Sequence, residues 1–596
     1  MKLKLLIVLA LILLSGIFEV VKTEIRYVSK TSSSTPPYTS WQTAADSIQK
    51  CINICKDGDT VVVANSKYKE TLWIDKAILL LGSSIDSTII DGTGLEARPD
   101  DGYTGITVNI KSDVRIENLK IIGKGIFEYI ATSVVRAYNY PLKIKYCNIS
   151  NAFEGVTFSH RSGTAENLFI QNVTNPIEFT CKGDTSYFNI NNNLIIMDGD
   201  HLNGISNDLG GHAIIHNNVV VSLSHRRSGI TADYYIRSAD IRNNLITGFQ
   251  FSSLIFSAIG DSVSINNNIA SYTVNIDAFG IELGNGNKVS IRNNIVEENP
   301  NGLVIWNGKS NSDYNIYWGN KRNIWLFAKY GLHDIKKDPM FVKDTIPTGD
   351  MTFDLHLQKY SPAIDAGDPS ILDKDGSRSD IGMYGGPYGE SYTYQDLAPK
   401  PPANLTARVE SNVIFLKWLK STEADFGYYK VYRDTIPDFI YDSTKAISKT
   451  ADTLFAEAIP GKGKTYYYKV TAFDKTNHQS PASEEVSVVI TGVDKPKLMA
   501  NDYMLYQNYP NPFNPSTTIS YRLKERGKVI LSVYDIQGKI VTQLINRLQE
   551  SGYYEVEFSP DKMPNKTASG LYVFFFSVTD LKGKPVFTDM KKSIYL

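Results

Sequence analysis

Cysteine is scarce in this chain: four residues in 596. That excludes a small disulfide-stapled scaffold. Cys51 and Cys55 sit four apart in "SIQKCINICKDGD", on one face of a short helix with Ile48 and Ile52. No His or Cys pair is placed to complete a metal site with them, so they read as core residues. Charge of one sign is missing as well. The net charge is −1, so no global field draws the chain to nucleic acid or to an anionic membrane. Long apolar runs are absent after the first 18 residues, so the mature protein has no transmembrane span. The run that exists, Leu5 to Phe18 behind Lys2 and Lys4, is short of the roughly 20 residues a span needs and reads as a signal peptide over 1–24. No small-x-small pair marks its cleavage point. No cysteine near its end offers a lipid anchor.

Asparagine and short apolar alternations are what the chain has in quantity. "IRNNLITG" at 241–248 looks like a strand that carries two asparagines in its middle, although Asn is depleted in strands. The phrase recurs. Its opening Ile falls at 116, 144, 170, 190, 215, 241, 265 and 291, at spacings of 20 to 28 residues. No unit holds a long helical pattern, which excludes leucine-rich, ankyrin and tetratricopeptide arrays. Short strands at this period predict an all-β solenoid of stacked coils. The stacking gives the asparagines a purpose. Equivalent positions lie about 4.8 Å apart in successive coils, so Asn193, Asn218, Asn244, Asn268 and Asn294 form a column of amides that hydrogen-bond to one another. In the three earlier coils the same column reads Leu119, Cys147 and Val173.

The segment "WQTAADSIQKCINICKDGDTVVVANSKYKETLWIDKAILLLGSSIDSTIIDG" resembles the opening of right-handed parallel β-helix proteins of the pectin-lyase-like fold. Gly58, Asp59, Thr60, Tyr68, Glu70, Gly82 and Gly92 carry the likeness. It implies a capping helix over an otherwise open end, and a β-helix over 25–397. "SPAIDAGDPSILDKDGSRSDIGMYGGP" resembles the closing segment of secreted members. Within it, "DKDGSRSD" lacks the fifth- and twelfth-position ligands of a calcium loop and reads as a tight turn.

A Pro-rich linker at 398–405 opens the second part of the chain. Residues 401–493 alternate as short strands. Trp418 and the series Tyr466, Tyr468, Val470, Ala472 resemble a fibronectin type III sandwich. Residues 500–596 open on "YQNYPNPFNPSTTISYRL". Asn508, Pro510, Asn511, Pro512, Tyr534, Asp535, Gly538, Gly570, Leu571, Tyr572 and Lys592 resemble the C-terminal sorting domain of type IX secretion substrates. That resemblance implies a Gram-negative bacterium, passage through the periplasm, and release or attachment at the cell surface, with the secretion machinery as a partner. The alternating, aromatic "YVFFFSV" predicts a compact sandwich.

For activity, the ionisable groups eight to twelve residues into the earlier coils stand out: Glu154, Glu178, Lys182, Asp198, Asp200, His201, His225, Arg226 and Arg227. Gln250, Phe251, Asn275 and Asp277 take comparable places later. Two chemistries fit such a column. A polysaccharide lyase neutralises a uronate carboxylate with Arg, Lys or calcium, and removes a proton with a base. Glu178, Asp198, Asp200, His201, His225, Arg226 and Arg227 are the candidates. A glycoside hydrolase needs two carboxylates about 5–9.5 Å apart. Calcium is the cofactor this patch would admit. The paired "DD" and "GHG" of polygalacturonase-type hydrolases are missing from the repeat coils, as is the "RxPxxR" of pectate lyases. The alternative is a non-catalytic glycan-binding or adhesin-like rod. Exposed aromatics beside the patch, among Tyr234, Tyr235, Phe249 and Phe251, would favour sugar stacking. The sequence thus predicts a secreted, monomeric protein that binds or depolymerises polysaccharide.

Overall fold

The computed structural model describes residues 23–96, 105–125, 132–181, 185–198, 203–224, 227–232, 235–309, 311–346, 351–410, 412–490, 502–560 and 569–595. Strands dominate. The one α-helix among the described residues is Ile48–Asn53. The chain divides into two compact units between Asp396 and Leu397.

The first unit is a parallel β-solenoid of about nine turns. Each coil lays strands on three faces. The first face runs from Ile25–Val28 to Ser312–Asp313, the second from Ser66–Tyr68 to Ile316–Trp318, and the third from Leu72–Ile74 to Arg322–Leu326. Two long strands, Asn148–Ser159 and Phe169–Thr180, pass unbroken from second face to third and join those faces into one sheet. Inward residues stack in file. On the first face Leu80, Ile116, Ile144, Ala165, Ile190, Ile215, Ile241, Ile265 and Ile291 are in register, and all are buried. Each large aliphatic member of such a file contributes about 1.5–3 kcal/mol relative to exposure.

This register corrects the reading of the third coil. Its origin is Ala165, not Ile170, because Ala165 pairs with both Ile144 and Ile190. Ile170 belongs to the second face. The column position there is accordingly Leu168 rather than Val173. An alanine in the core file hid the start of the phrase.

The asparagine pair is also not inside a strand. Strand Ile236–Arg242 ends before it and Leu245–Thr247 begins after it. The pair is a corner between faces. From the coil of Ile116 onward its first member has positive φ: Asn118, Tyr146, Asn167, Asn192, Asn217, Asn243, Asn267, Asn293 and Tyr314 lie between +52° and +60°. Asparagine tolerates this left-handed conformation better than most residues. The second member turns inward and builds the ladder. Asn193 Nδ2 donates to Asn218 Oδ1 at 2.8 Å, Asn218 to Asn244 at 2.9 Å, Asn244 to Asn268 at 2.9 Å, and Asn268 to Asn294 at 3.0 Å. The ladder is longer than the sequence showed. It continues through Asn315, at 2.9 Å from Asn294, and ends on Asp334.

The helix closes the N-terminal end with Ile48, Cys51 and Ile52 buried beneath it. Its N-terminus is held by Glu70. That carboxylate accepts from Ser47 Oγ at 2.8 Å, Ile48 N at 2.9 Å and Gln49 N at 3.0 Å. Gly82 is required by close approach: a Cβ there would lie 2.0 Å from the Asn118 carbonyl. The described residues of 327–346 and 351–396 then pack back against the second face, where Phe341, Leu355, Leu357, Ala363 and Ile381 cover Leu245, Ile269, Ile295 and Ile316. Corner asparagines clasp this segment. Asn243 Nδ2 donates to the Met383 carbonyl at 2.8 Å, Asn267 Nδ2 to that of Asp380 at 2.9 Å, and Asn293 Oδ1 accepts from Asp368 N at 2.7 Å. "DKDGSRSD" is a tight turn, with Gly376 at φ +87° and Leu372 bridged to Arg378.

The second unit holds two sandwiches. In the first, a three-stranded sheet (Thr406–Glu410, Val413–Lys417, Leu454–Ala458) faces a four-stranded one (Ala446–Thr450, Phe426–Asp434, Lys464–Asp474, Val486–Ile490). This is a fibronectin type III-like fold. Trp418 meets Tyr429 edge to face at 5.4 Å in its core, with Tyr466, Tyr468, Val470 and Ala472. In the second sandwich, Tyr572, Phe574, Phe576 and Val578 point inward. Asn508 Nδ2 donates to Thr517 Oγ1 at 2.8 Å and Ser593 Oγ at 2.7 Å, and Asn511 Oδ1 accepts from Ile594 N at 2.9 Å. The asparagines of the Asn-Pro motif therefore tie the last strand to the first part of the domain.

Candidate functional site

Outward positions on the third face also stack, which turns sequence offsets into a surface. One file runs Thr157, Glu178, Ser206, Thr231, Ile255, Glu282, Val304, Trp325. The turns that enter this face from the second face form a wall beside it. Asp198, Arg227, Phe251 and Asp277 all lie in such turns.

The candidates divide accordingly. Glu178 is on the third face, half-buried, and accepts from Asn175 Nδ2 at 2.7 Å. Ser206 Oγ reaches Asn175 Oδ1 at 3.3 Å from the next coil. Glu154 sits one coil earlier and accepts from Ser133 Oγ and from Thr157 Oγ1. Asp198 is exposed at the end of a second-face strand. Asp200, His201, His225 and Arg226 lie outside the described residues, as do Lys182 and Tyr234. His212 and His216 face elsewhere. They are on the first face, His212 stacked on Tyr187 and bonded to Ser238, and His216 paired with Asp240 at 3.2 Å. Among the described residues of the solenoid, no three metal-ligating side chains come close enough to share an ion.

Arg227 belongs to a cavity of about 430 Å³ on the third face. That volume falls in the range of small-molecule sites. Asn203, Arg227, Ser228, Phe251, Ser252, Ile255, Asp277, Phe279, Glu282, Trp306 and Trp325 line it. Its centre is one to several coils beyond the patch that the sequence singled out. Three aromatic rings form its far end. Phe279 and Trp325 have centroids 5.4 Å apart, Phe279 meets Trp306 edge-on at 6.3 Å, and the two indoles are 6.4 Å apart. The Arg322 guanidinium lies 4.5 Å over the Trp325 ring. Trp306 is 47% exposed and Phe251 42%. Phe249, grouped with Phe251 from sequence, is instead fully buried in the core.

Glu282 is the fixed polar group of the cavity. Trp306 Nε1 donates to its Oε1 at 2.9 Å and Ser252 Oγ to its Oε2 at 2.6 Å. Two donors hold the carboxylate in one orientation, and its remaining lone pairs stay available as acceptors. The corner behind the wall is stiffened by a second, shorter amide ladder. Thr273 N donates to Asn299 Oδ1 at 3.1 Å, and Asn299 Nδ2 to Asn320 Oδ1 at 3.1 Å.

Sequence reasoning reached the wall through Arg227, Phe251 and Asp277, but missed Glu282, Trp306 and Trp325. A signal was present. Two of the chain's six tryptophans stand 19 residues apart in the last coils.

Comparison with known proteins gives three findings. Residues 507–577 match the family model of the secretion system C-terminal sorting domain. A stretch of 92 residues is 30% identical to an amylopullulanase of Thermoanaerobacterium thermosulfurigenes, covering 15% of this chain and 5% of that protein. The chain thus spans about a twentieth of the length of this curated relative. Among solved structures, an Fn3-like protein from Clostridium thermocellum is 23% identical with a TM-score of 0.14, covering 16% of this chain and 99% of that one. The FN1–FN3 domains of chicken CNTN1 are 15% identical with a TM-score of 0.13, covering 33% and 67%. The sorting-domain match implies export by the type IX secretion machinery to the cell surface or outside. No described helix is long and apolar enough to cross a membrane.

Proposed function

We propose that this exported β-solenoid protein binds polysaccharide, and that the third-face cavity between Arg227 and Trp325 takes the glycan. The observation that carries the reading is the pairing of exposed ring faces with a held carboxylate. Phe251, Trp306 and Trp325 offer apolar surface for the faces of sugar rings, backed by the buried Phe279. Glu282, Asp277, Ser252 and Asn203 offer partners for hydroxyls. The match to a short stretch of a protein named amylopullulanase supports a carbohydrate setting.

Depolymerisation is the second reading, because Asp277 and Glu282 line one cavity and a hydrolase works with two carboxylates. The uronate-lyase form of it would rest on Arg227 in the cavity. Glu178 and Asp198 belong to coils on its N-terminal side, Asp200, His201, His225 and Arg226 lie outside the described residues, and calcium would be the added cation.

Titrating the purified protein with a panel of soluble polysaccharides tests the site. Trp306→Ala is expected to weaken binding about tenfold, in the range of one aromatic contact. Reducing ends and ultraviolet absorbance of unsaturated ends, followed on the same mixtures, separate hydrolase, lyase and pure binder. Binding that Trp306→Ala leaves unchanged would remove the cavity from the account.

A further inference from the structure

The cavity is built across six successive coils, marked by Asn203, Arg227, Phe251, Glu282, Trp306 and Trp325. Five coil steps of roughly 4.8 Å make a trough of about 24 Å along the solenoid axis. A single sugar would fill a small part of it. A chain of several units, laid parallel to the axis, would fill all of it.

The charges along the trough bear on which chain. The described lining holds two carboxylates, Asp277 and Glu282, against one guanidinium, Arg227. Adding Arg322, stacked on Trp325 at the rim, brings the two signs only to balance. A polyuronate carries a negative charge on every unit, and like charges in a partly desolvated site repel. It would need an excess of cations that these residues do not supply. Glu282 is moreover held in place by Trp306 and Ser252 at the centre of the aromatic end, where a uronate carboxylate would meet it directly.

We infer that the ligand is a neutral polysaccharide, bound as an extended run of several units along the solenoid axis, and not a polyuronate. The inference rests on the reading of this cavity as the saccharide site and narrows it to one class.

The test uses the full-length exported protein and calorimetric titration with two oligosaccharide series of matched lengths. One series is neutral: gluco-, xylo- and manno-oligosaccharides. The other is oligogalacturonate and oligomannuronate, each with and without calcium. A neutral series is expected to bind, with affinity rising at least tenfold between two and five units and falling about tenfold in Trp306→Ala. Glu282→Gln keeps the acceptor for Trp306 and removes the charge. It is expected to raise uronate affinity several-fold and to weaken the neutral series, whose hydroxyls lose a charged acceptor. Tighter binding of the uronates, with or without calcium, and still lost in Trp306→Ala, would overturn the neutral class while leaving the cavity as the saccharide site. Binding that ignores Trp306→Ala, or no binding in either series, would overturn both. Far-ultraviolet circular dichroism of each variant confirms that the coils are intact.

Discussion

Asn243 and Asn244 are neighbours in the chain with opposite demands. Asn244 is fully buried. Its amide donates to the Ile215 carbonyl and to Asn268 Oδ1, and its oxygen accepts from Asn218 N and Nδ2. Asn244→Ala removes the acceptor of the buried Asn218 N–H, at about 1–3 kcal/mol, and breaks the amide column on both sides. We expect a loss of about 3 kcal/mol, read as a lowered midpoint of the solenoid's denaturant transition. The first position of the pair asks for a backbone angle, to which Asn243, Asn267 and Asn293 add side-chain bonds to the closing segment. Asn217, at φ +55°, is expected to accept glycine at a cost below about 1 kcal/mol, whereas Asn217→Val forces a β-branched residue into the left-handed region. Equal costs for Asn244→Ala and Asn217→Gly would refute this division of roles. The sequence displayed the ladder because five coils repeat both letters. It hid Asn315 because the residue opening that coil is Ser312, not Ile, and it misplaced the third coil because Ala165 does not look like the start of an Ile-led phrase. Periodicity is legible only where core residues keep their size.

At the scale of elements, the turns were easier to read than the strands between them. Arg227, Phe251 and Asp277 stand at similar offsets because the corner between second and third faces recurs at a nearly constant distance from the coil's origin. Glu282 and Trp325 are in register in the sheet, yet they stand at unequal offsets, because the turns before them differ in length. The closing segment shows a further case. Asp380 closes the tight turn read from sequence, only 3% of it is exposed, and its carboxylate accepts from Asp365 N at 2.9 Å and Tyr394 Oη at 2.7 Å. Burial outweighs those donors and pushes its carboxyl up to about 6, and the neighbouring Asp373 is raised by burial too. The folded state therefore holds a proton more tightly than the unfolded chain, whose aspartate titrates near 3.9. Above pH 6 the buried charge opposes folding, and the penalty is relieved as pH falls through that value. We expect the stability of the native protein, measured against Asp380→Asn, to rise between pH 7 and pH 5. A difference that is flat or falling over that interval would show that Asp380 is not the group responsible. At the other end, Glu70→Ala takes three hydrogen bonds from the capping helix and is expected to cost about 1–2 kcal/mol.

For the whole molecule, the parts are built to be separable. The solenoid core, the first sandwich and the second sandwich are distinct apolar clusters with no residue in common. The sequence showed these modules because each announces itself locally, by repeat, by alternation or by motif. The sorting match covers residues 507–577 and none of the solenoid. Export and glycan binding should then fail independently. Removing residues 500–596 takes away Asn508, Asn511 and the strand they hold, and with them the surface that the secretion machinery reads. It leaves every residue of the third-face cavity in place. We expect the truncated protein to be retained in cells while the full chain reaches the surface or the medium, as followed by fractionation. Truncated protein recovered from lysed cells is expected to bind saccharide as tightly as the full chain. Trp306→Ala should do the reverse, with normal export and weakened binding. A truncated protein that is exported normally would contradict the role of the tail. A truncated protein that stays inside and also loses binding would show that the cavity depends on the tail, contrary to three self-sufficient cores.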